Sequence, residues 1–252
     1  MKYYENLSLL QVFNKYDLDL ITDDDNKSKQ ILKTYIDKNI IKKISYDYYG
    51  TIDFSTRDLY ADKFVIGSKV NKDAFISHRS AFEFHGFYNQ VYNEVYVSSL
   101  KTFKSFDFDD ISYIYVKTNN FMQVETIKNT KVSSIERTIV DSIKDVDKIS
   151  DIEETLKCID LISYIDENKI MNYLDSVNNK TLYKKTGYIL SIFRENLKLT
   201  NEFFDELKEK GGKVRGYFSQ INKHDLTYQN EWGIYAYEKE YLHGILNKKM
   251  GK

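Results

Sequence analysis

The chain has no proline and a single cysteine, Cys158, among its 252 residues. One cysteine allows neither an intramolecular disulfide nor a cysteine-based zinc cluster, which fits a reducing compartment. No physical requirement keeps proline out of every loop of a globular protein. Its absence therefore reads as base-composition bias, in keeping with a lysine content far above that of arginine. Histidine is also scarce, at four residues. No apolar run approaches the roughly 18 residues of a membrane span, and no opening segment joins a basic region to an apolar run of signal-peptide length. The expectation is a cytoplasmic protein without a membrane partner. A Gly-rich phosphate loop, a G-x-S-x-G elbow and an H-E-x-x-H helix are all missing. Neither catalytic residues nor a metal or cofactor is expected on these grounds.

What is present is a folding composition, with 42% hydrophobic and 30% charged residues and a length sufficient for one large or two modest cores. The net charge is only -1, so a nucleic-acid partner must be argued from local patches rather than from the whole molecule.

Residues 1–70 read as three helices and a hairpin. Leu7, Leu9, Leu10, Val12 and Phe13 predict an apolar helix, and Leu18, Leu20 and Ile21 a short second one. A third runs from near Asp25 or Ser28 to about Lys38, with Ile31, Leu32, Tyr35 and Ile36 on its buried face. Residues 40–46 and 51–54 then predict strands around the turn Asp47-Tyr48-Tyr49-Gly50. These are the parts of a winged helix-turn-helix, in which the third helix would enter the major groove. Its outward face carries Lys29, Gln30, Lys33 and Thr34, and the wing would bring Lys42, Lys43 and Tyr48 near phosphates. Small helical modules with a hairpin also bind proteins, and Asp23-Asp24-Asp25 would repel phosphate unless it lies behind the reading helix. Carboxylates at a helix N-terminus also favourably oppose its dipole.

Residues 61–70 predict a further helix. Alternation between residues 93 and 132 then predicts four or five short strands of a mainly antiparallel sheet. Beyond Ser133 the chain reads as helices over 134–145, 150–163, 166–176, 181–196 and 200–210, with an apolar aromatic segment at 232–237. The fold class expected is α+β: an N-terminal winged helix-turn-helix over 1–70, and over 71–252 a larger mixed domain with a helical C-terminal part.

Two dense motifs invite a chemical reading. In Ile76-Ser77-His78-Arg79-Ser80-Ala81-Phe82-Glu83-Phe84-His85-Gly86-Phe87, two histidines stand among serines, an arginine and a glutamate. Ser77 as N-cap and Gly86 as stop predict a two-turn helix, on which the imidazoles lie roughly 10 Å apart along the axis at 1.5 Å per residue. One zinc takes helical His pairs at i, i+4, so a shared metal does not fit. A capped helix burying Ala81, Phe82 and Phe84, with His78 and Arg79 at an exposed start, accounts for the motif. In Ser133-Ser134-Ile135-Glu136-Arg137-Thr138-Ile139-Val140-Asp141, Ser133 and Glu136 have capping-box spacing. Arg137 and Asp141 stand at i, i+4, suited to a surface pair on a helix docked against the sheet.

Asp107, Asp109, Asp110, Glu125 and Lys128 are the residue types of a metal-dependent nuclease. Such sites place Glu and Lys two apart on one strand face, whereas Glu125 and Lys128 are three apart and fall on opposite faces. Residues 178–223 hold ten Lys/Arg against five Asp/Glu. Lys180, Lys184, Lys185 and Arg194 in this stretch are either a solvated helical face or a phosphate-contacting patch, with Tyr183, Tyr188, Tyr217 and Phe218 available for stacking or for the core.

The order of a helix-turn-helix start, I-S-H-R-S-A-F-E-F-H-G-F, strands, S-I-E-R-T-I-V-D and a later K-K-T-G-Y-I-L resembles the AbiEi family of bacterial antitoxins and transcriptional regulators over nearly the full chain. The resemblance implies a non-enzymatic protein whose winged helix binds inverted repeats in the double-stranded promoter DNA of its own operon. It also implies a C-terminal domain with antitoxin activity, and a nucleotidyltransferase-like toxin as functional partner in a phage-defence system. On it, DNA reading passes to Lys29, Gln30, Lys33 and Thr34, and the wing to Lys42 and Lys43.

Overall fold

The apolar residues 7–13 do not form one helix. In the computed structural model, which describes residues 2–88 and 90–248, helix α1 (Tyr4–Leu10) ends at Gln11, whose φ of 62° breaks the helical path. Val12–Asn14 then form strand β1. Asn14 opens α2 (Lys15–Thr22) with a reciprocal capping box to Asp17. Then come α3 (Asp25–Asp37), β2 (Ile41–Lys43) and β3 (Tyr48–Thr51). The three strands form an antiparallel sheet in the order β1-β3-β2, with Phe13 opposite Tyr49 and Lys42 opposite Gly50. Leu7, Phe13, Leu18, Leu32, Tyr35 and Ile40 fill the core between helices and sheet.

The acidic triplet has a structural explanation for each member. Asp23 ends α2 in the left-handed conformation, Asp24 caps α3 by accepting from Lys27 N, and Asp25 pairs with Lys29 and Lys15. Behind them, a buried hydroxyl pair, Thr22 Oγ1 and Ser28 Oγ at 2.7 Å, ties α2 to α3.

The same unit continues through α4 (Lys63–Lys69), β4 (Phe75–Ile76), β5 (Glu94–Ser99), β6 (Phe106–Phe108), β7 (Ile111–Lys117), β8 (Val124–Ile127) and β9 (Thr130–Ser133). These strands form a six-stranded sheet in the order β6-β7-β5-β4-β9-β8. It is mixed rather than mainly antiparallel. Strands β5 and β7 run parallel from Glu94↔Ser112 to Ser99↔Lys117, and β4 runs parallel to β9, while β4–β5 and β6–β7 are antiparallel. Alternation marks which face is buried but carries no strand direction.

A second unit contains α5 (His78–Phe84), α6 (Ile135–Lys144), α7 (Ile152–Asp160), α8 (Glu167–Val177), α9 (Lys180–Leu190), α10 (Arg194–Leu197), α11 (Asn201–Gly211) and α12 (Lys239–Asn247). A small sheet, β10 (Gly216–Tyr217), β11 (Thr227–Gln229) and β12 (Ile234–Ala236), has the order β10-β12-β11. Helix α6 lies at the centre, packed against α5, α7, α8 and α9, so its expected place on the sheet is corrected to a helical core. Phe82, Ile139, Leu156, Ile170, Tyr188 and Trp232 belong to that core.

The α+β class holds, but the two compact units do not divide at residue 70. One is Met1–Ile76 with Tyr92–Val132, and the other is Ser77–Val91 with Ser133–Lys252. The strands of 92–132 extend the edge offered by β4 and so join the first unit, while α5 leaves that sheet to pack on α6. No described helix is long and apolar enough to cross a membrane.

Candidate nucleic-acid interface and a buried polar cluster

Helix α3 carries the first candidate surface. Its 13 residues bury Ser28, Leu32 and Tyr35 and leave Lys29, Gln30 and Lys33 exposed on the opposite side. Thr34 is half-buried, and its hydroxyl donates to Gln30 O at 2.8 Å. Lys29 Nζ lies 2.6 Å from Asp25 Oδ2 in an exposed i, i+4 pair, whose small worth leaves the lysine open to exchange for a stronger anion. The four residues expected to read DNA therefore share one helix, with Lys29 and Lys33 one turn apart.

The hairpin residues are less free than expected. Lys42 Nζ is 2.5 Å from Asp109 Oδ1 and lies 4.9 Å from the Phe108 ring centroid. Lys43 is exposed, with its ammonium 5.9 Å from the Tyr46 ring. Tyr48 is half-buried, and burial outweighs a hydrogen bond with Asn14 to raise its phenol pKa. The hairpin tip and the segment 103–107 line a cavity of about 570 Å³ that includes Tyr46, Tyr48, Phe103 and Phe106. The turn holding Asp109 has positive φ at both central residues, 48° at Asp109 and 60° at Asp110. That is the geometry of a type I′ hairpin, and the D-D dipeptide between alternating strands was the available signal for it.

The nuclease constellation is not assembled. Asp107 is on β6 and Glu125 on β8, at opposite edges of the sheet. Five strand spacings of ~4.8 Å separate them, roughly 24 Å. Asp107 instead accepts from Ser112 Oγ at 2.6 Å. No group of three or more His, Cys, Asp or Glu suited to a metal ion is found among the described residues.

The two dense motifs come together in the second unit as a buried polar cluster. Arg137 is 0% and Asp141 2% exposed, so the expected surface pair is an internal one, with Nε to Oδ2 at 3.1 Å. Asp141 Oδ1 also accepts from Tyr173 OH and Lys144 Nζ, each at 2.8 Å, and the Arg137 guanidinium stacks 5.0 Å from the Tyr173 ring centroid. Burial alone would raise the Asp141 carboxyl, but Lys144, His78 and Arg137 outweigh it and hold it at about 2. Asp145 is lowered in the same way, against its burial, by His78 and Lys144. The N-cap of α6 is Ser134, accepting from Arg137 N, and not Ser133, whose hydroxyl pairs with Thr138 Oγ1 at 2.7 Å.

His78 belongs to this cluster and is not at an exposed helix start. It has φ 52°, and its ring makes contacts of 2.9 Å from Nδ1 to Ser77 Oγ and 3.3 Å from Nε2 to Asp145 Oδ2. These contacts help hold a backbone conformation that is unfavourable for a non-glycine residue. Ser77 therefore bonds the imidazole and provides no side-chain cap. The order Ser77-His78-Asp145 imitates a catalytic relay. Ser77 and His78 are 0% and 1% exposed, however, so the hydroxyl has no open face for a substrate carbonyl. His85 is separate, with Nε2 2.8 Å from Ser133 O, and Gly86 at φ 85° stops the helix as expected.

The basic segment 180–194 does not form one exposed patch. Lys180 is exposed, but Lys184 is buried, Lys185 sits 5.6 Å from the Phe218 ring, and Arg194 pairs with Asn201 and stacks on Phe204. Tyr183, Tyr188 and Phe218 are core residues, while Tyr217 is half-buried. Helix α9 lies against α11 and β12, which explains the inward turn of Lys184.

No family model matches the chain, and no curated protein matches it in sequence. The chain shares its fold with a solved structure. That structure, of the RV2827C protein from Mycobacterium tuberculosis, superposes with a TM-score of 0.65, covering 97% of this chain and 93% of that one at 11% identity. Similarity at this level extends over both units as fold alone.

Proposed function

We propose that the chain is a non-enzymatic DNA-binding regulator, acting on inverted repeats in double-stranded promoter DNA, and the antitoxin of a pair whose other member is a nucleotidyltransferase-like toxin. One observation supports the DNA reading above others. Residues 4–51 run helix, strand, helix, helix, strand, strand, with an antiparallel sheet in the order β1-β3-β2 and exposed Lys29, Gln30 and Lys33 on the third helix. This is the element order of a winged helix-turn-helix, and α3 is the element that would enter the major groove. Capping of α3 by Asp24 and pairing of Asp25 with Lys15 and Lys29 lessen the repulsion that those two acids would exert on phosphate. The antitoxin part of the proposal draws on the S-H-R-S-A and E-R-T-I-V-D motifs, which occupy the interior of the second unit.

An electrophoretic shift on the DNA upstream of the chain's own gene tests this. Wild-type protein is expected to bind with an affinity that falls as salt rises. The Lys29→Ala, Lys33→Ala double variant should bind about tenfold more weakly or worse, with a log–log salt slope shallower by roughly 2. Equal affinity of the two proteins would remove α3 as the reading element. For the antitoxin role, the neighbouring reading frame is expressed with and without this chain, and rescue of growth is the expected result.

A further inference from the structure

The second unit contains a cavity of about 330 Å³ that neither the DNA reading nor the buried cluster uses. Its lining includes Lys184, Lys208, Lys213 and Arg215, with Glu231 the one carboxylate among the described lining residues. Glu231 is already occupied, 2.9 Å from Lys208 Nζ and 3.8 Å from Lys239 Nζ. The cavity therefore carries an excess of positive charge on its wall.

Lys184 is the informative member. Its side chain is 4% exposed, and its ammonium donates to Val214 O at 2.7 Å with Gly233 O at 3.5 Å. Those carbonyls orient the charge without neutralising it, and no carboxylate is paired with it among the described residues. Burial lowers its pKa, the mark of an ammonium lacking a counter-charge. Space for this arrangement comes from glycines. A Cβ at Gly211 would lie 2.7 Å from Lys184 Cγ, one at Gly233 3.0 Å from Lys184 Nζ, and one at Gly187 2.1 Å from the Trp232 ring. Ten glycines serve the whole chain, and three of them make room for the lysine and the indole of this one cavity. A solvated basic face needs no such construction.

The remaining wall is aromatic. Arg215 lies 5.5 Å from the Tyr228 ring centroid and Lys208 5.1 Å from that of Trp232, while Tyr228 itself is exposed. An anionic group can sit among Lys184, Lys213 and Arg215, with a flat group beside it against Tyr228. The volume falls within the range of small-ligand sites.

We propose that this cavity binds a phosphate-bearing nucleotide, with the phosphate on Lys184, Lys213 and Arg215 and the base against Tyr228. Trp232 is the only tryptophan of the chain and lines the cavity, so its fluorescence reports on the site directly. The full-length protein is titrated with sodium phosphate, a ribonucleoside monophosphate and a short single-stranded oligonucleotide, following Trp232 emission and the heat of binding. The monophosphate is expected to bind more tightly than inorganic phosphate and to shift the emission. The Lys213→Ala, Arg215→Ala double variant changes two exposed side chains. It should weaken binding about tenfold or more through loss of charge-assisted contacts, with an unaltered thermal transition. A further drop in Lys184→Met, where that variant folds, would support the assigned phosphate position. Absence of heat and emission change with millimolar monophosphate overturns the proposal. So does equal affinity of the double variant, or binding confined to the oligonucleotide, which would make the cavity part of a strand-binding surface.

Discussion

Asp141 lies among Arg137, Lys144 and Tyr173, and its removal would take a buried carboxylate away from Arg137 Nε, Lys144 Nζ and the Tyr173 hydroxyl together. Deleting one member of a buried pair costs about 3–5 kcal/mol, far more than losing an exposed, solvent-screened pair such as Lys29–Asp25. Asp141→Ala should therefore lower the denaturant midpoint strongly, while Asp25→Ala should barely move it. Acid provides a second handle. The folded Asp141 carboxyl titrates at about 2, below its ordinary 3.8, and Asp145 is also lowered. A depressed folded pKa means that the unfolded chain binds protons first. The stabilisation is then present above about pH 4 and lost as pH falls toward 2. Urea melts between pH 5 and 2.5 should show this loss, and Asp141→Asn should flatten it; an equal slope in both proteins would place the titrating groups elsewhere. The i, i+4 spacing of Arg137 and Asp141 was plain in the sequence, but its burial was not. A charged pair reads as a surface feature until long-range packing places Tyr173 and His78 around it.

Helix α9 shows how packing between elements overrides local preference. Gly187 stands inside the helix, where alanine would ordinarily gain about 1 kcal/mol. Here a Cβ would come within 2.1 Å of a Trp232 ring carbon, and the ring is buried. Overpacking of this kind costs about 1–3 kcal/mol, and the contact is severe enough to exceed the helical gain. Gly187→Ala should be destabilised by about 2 kcal/mol with a changed Trp232 emission spectrum; increased stability would show that the Trp232 segment yields at little cost. Helices α8 and α11 were readable because each has a long periodic face, those expected at 166–176 and 200–210 being Glu167–Val177 and Asn201–Gly211, whereas the helix expected at 181–196 ends at Leu190 and α12 was not foreseen. Strand β1 was absorbed into the first helix because three residues have no period and their partner is Tyr48–Gly50, more than thirty positions away. Strand β4, two residues long, gave no local signal either, yet it joins β5 to β9. The exposure of Lys29, Gln30 and Lys33 on α3 could be read from its amphipathic pattern. The tie between Lys42 and Asp109 could not, since it joins residues 67 positions apart.

The chain passes between its two units at 76/77, 91/92 and 132/133, so neither unit is a continuous stretch of sequence. The most telling consequence concerns α5. Phe82 is buried in the core that also contains Ile139 and Leu156, His78 reaches Asp145, and His85 meets Ser133 O. A fragment of residues 133–252 would therefore lack a helix that fills its own core. Losing one large buried aromatic costs about 3–5 kcal/mol, comparable with the whole 5–15 kcal/mol that holds a typical domain together. Produced alone, 133–252 is expected to retain helical circular dichroism, bind a hydrophobic dye and melt without a sharp transition. Cys158 supplies an independent readout. It is the only thiol, it is buried in this core, and burial pushes its pKa up, so in the intact protein it should react slowly with a thiol reagent. In the fragment it should react at nearly the rate of the unfolded chain. Joining 77–91 to the start of 133–252 through a Gly/Ser linker should restore both the cooperative melt and the protection of Cys158. A linked chain that stays reactive would mean that the second unit also needs residues from 1–76 or 92–132 to fold. A fragment 133–252 that melts sharply by itself would mean that α5 only decorates a core already complete.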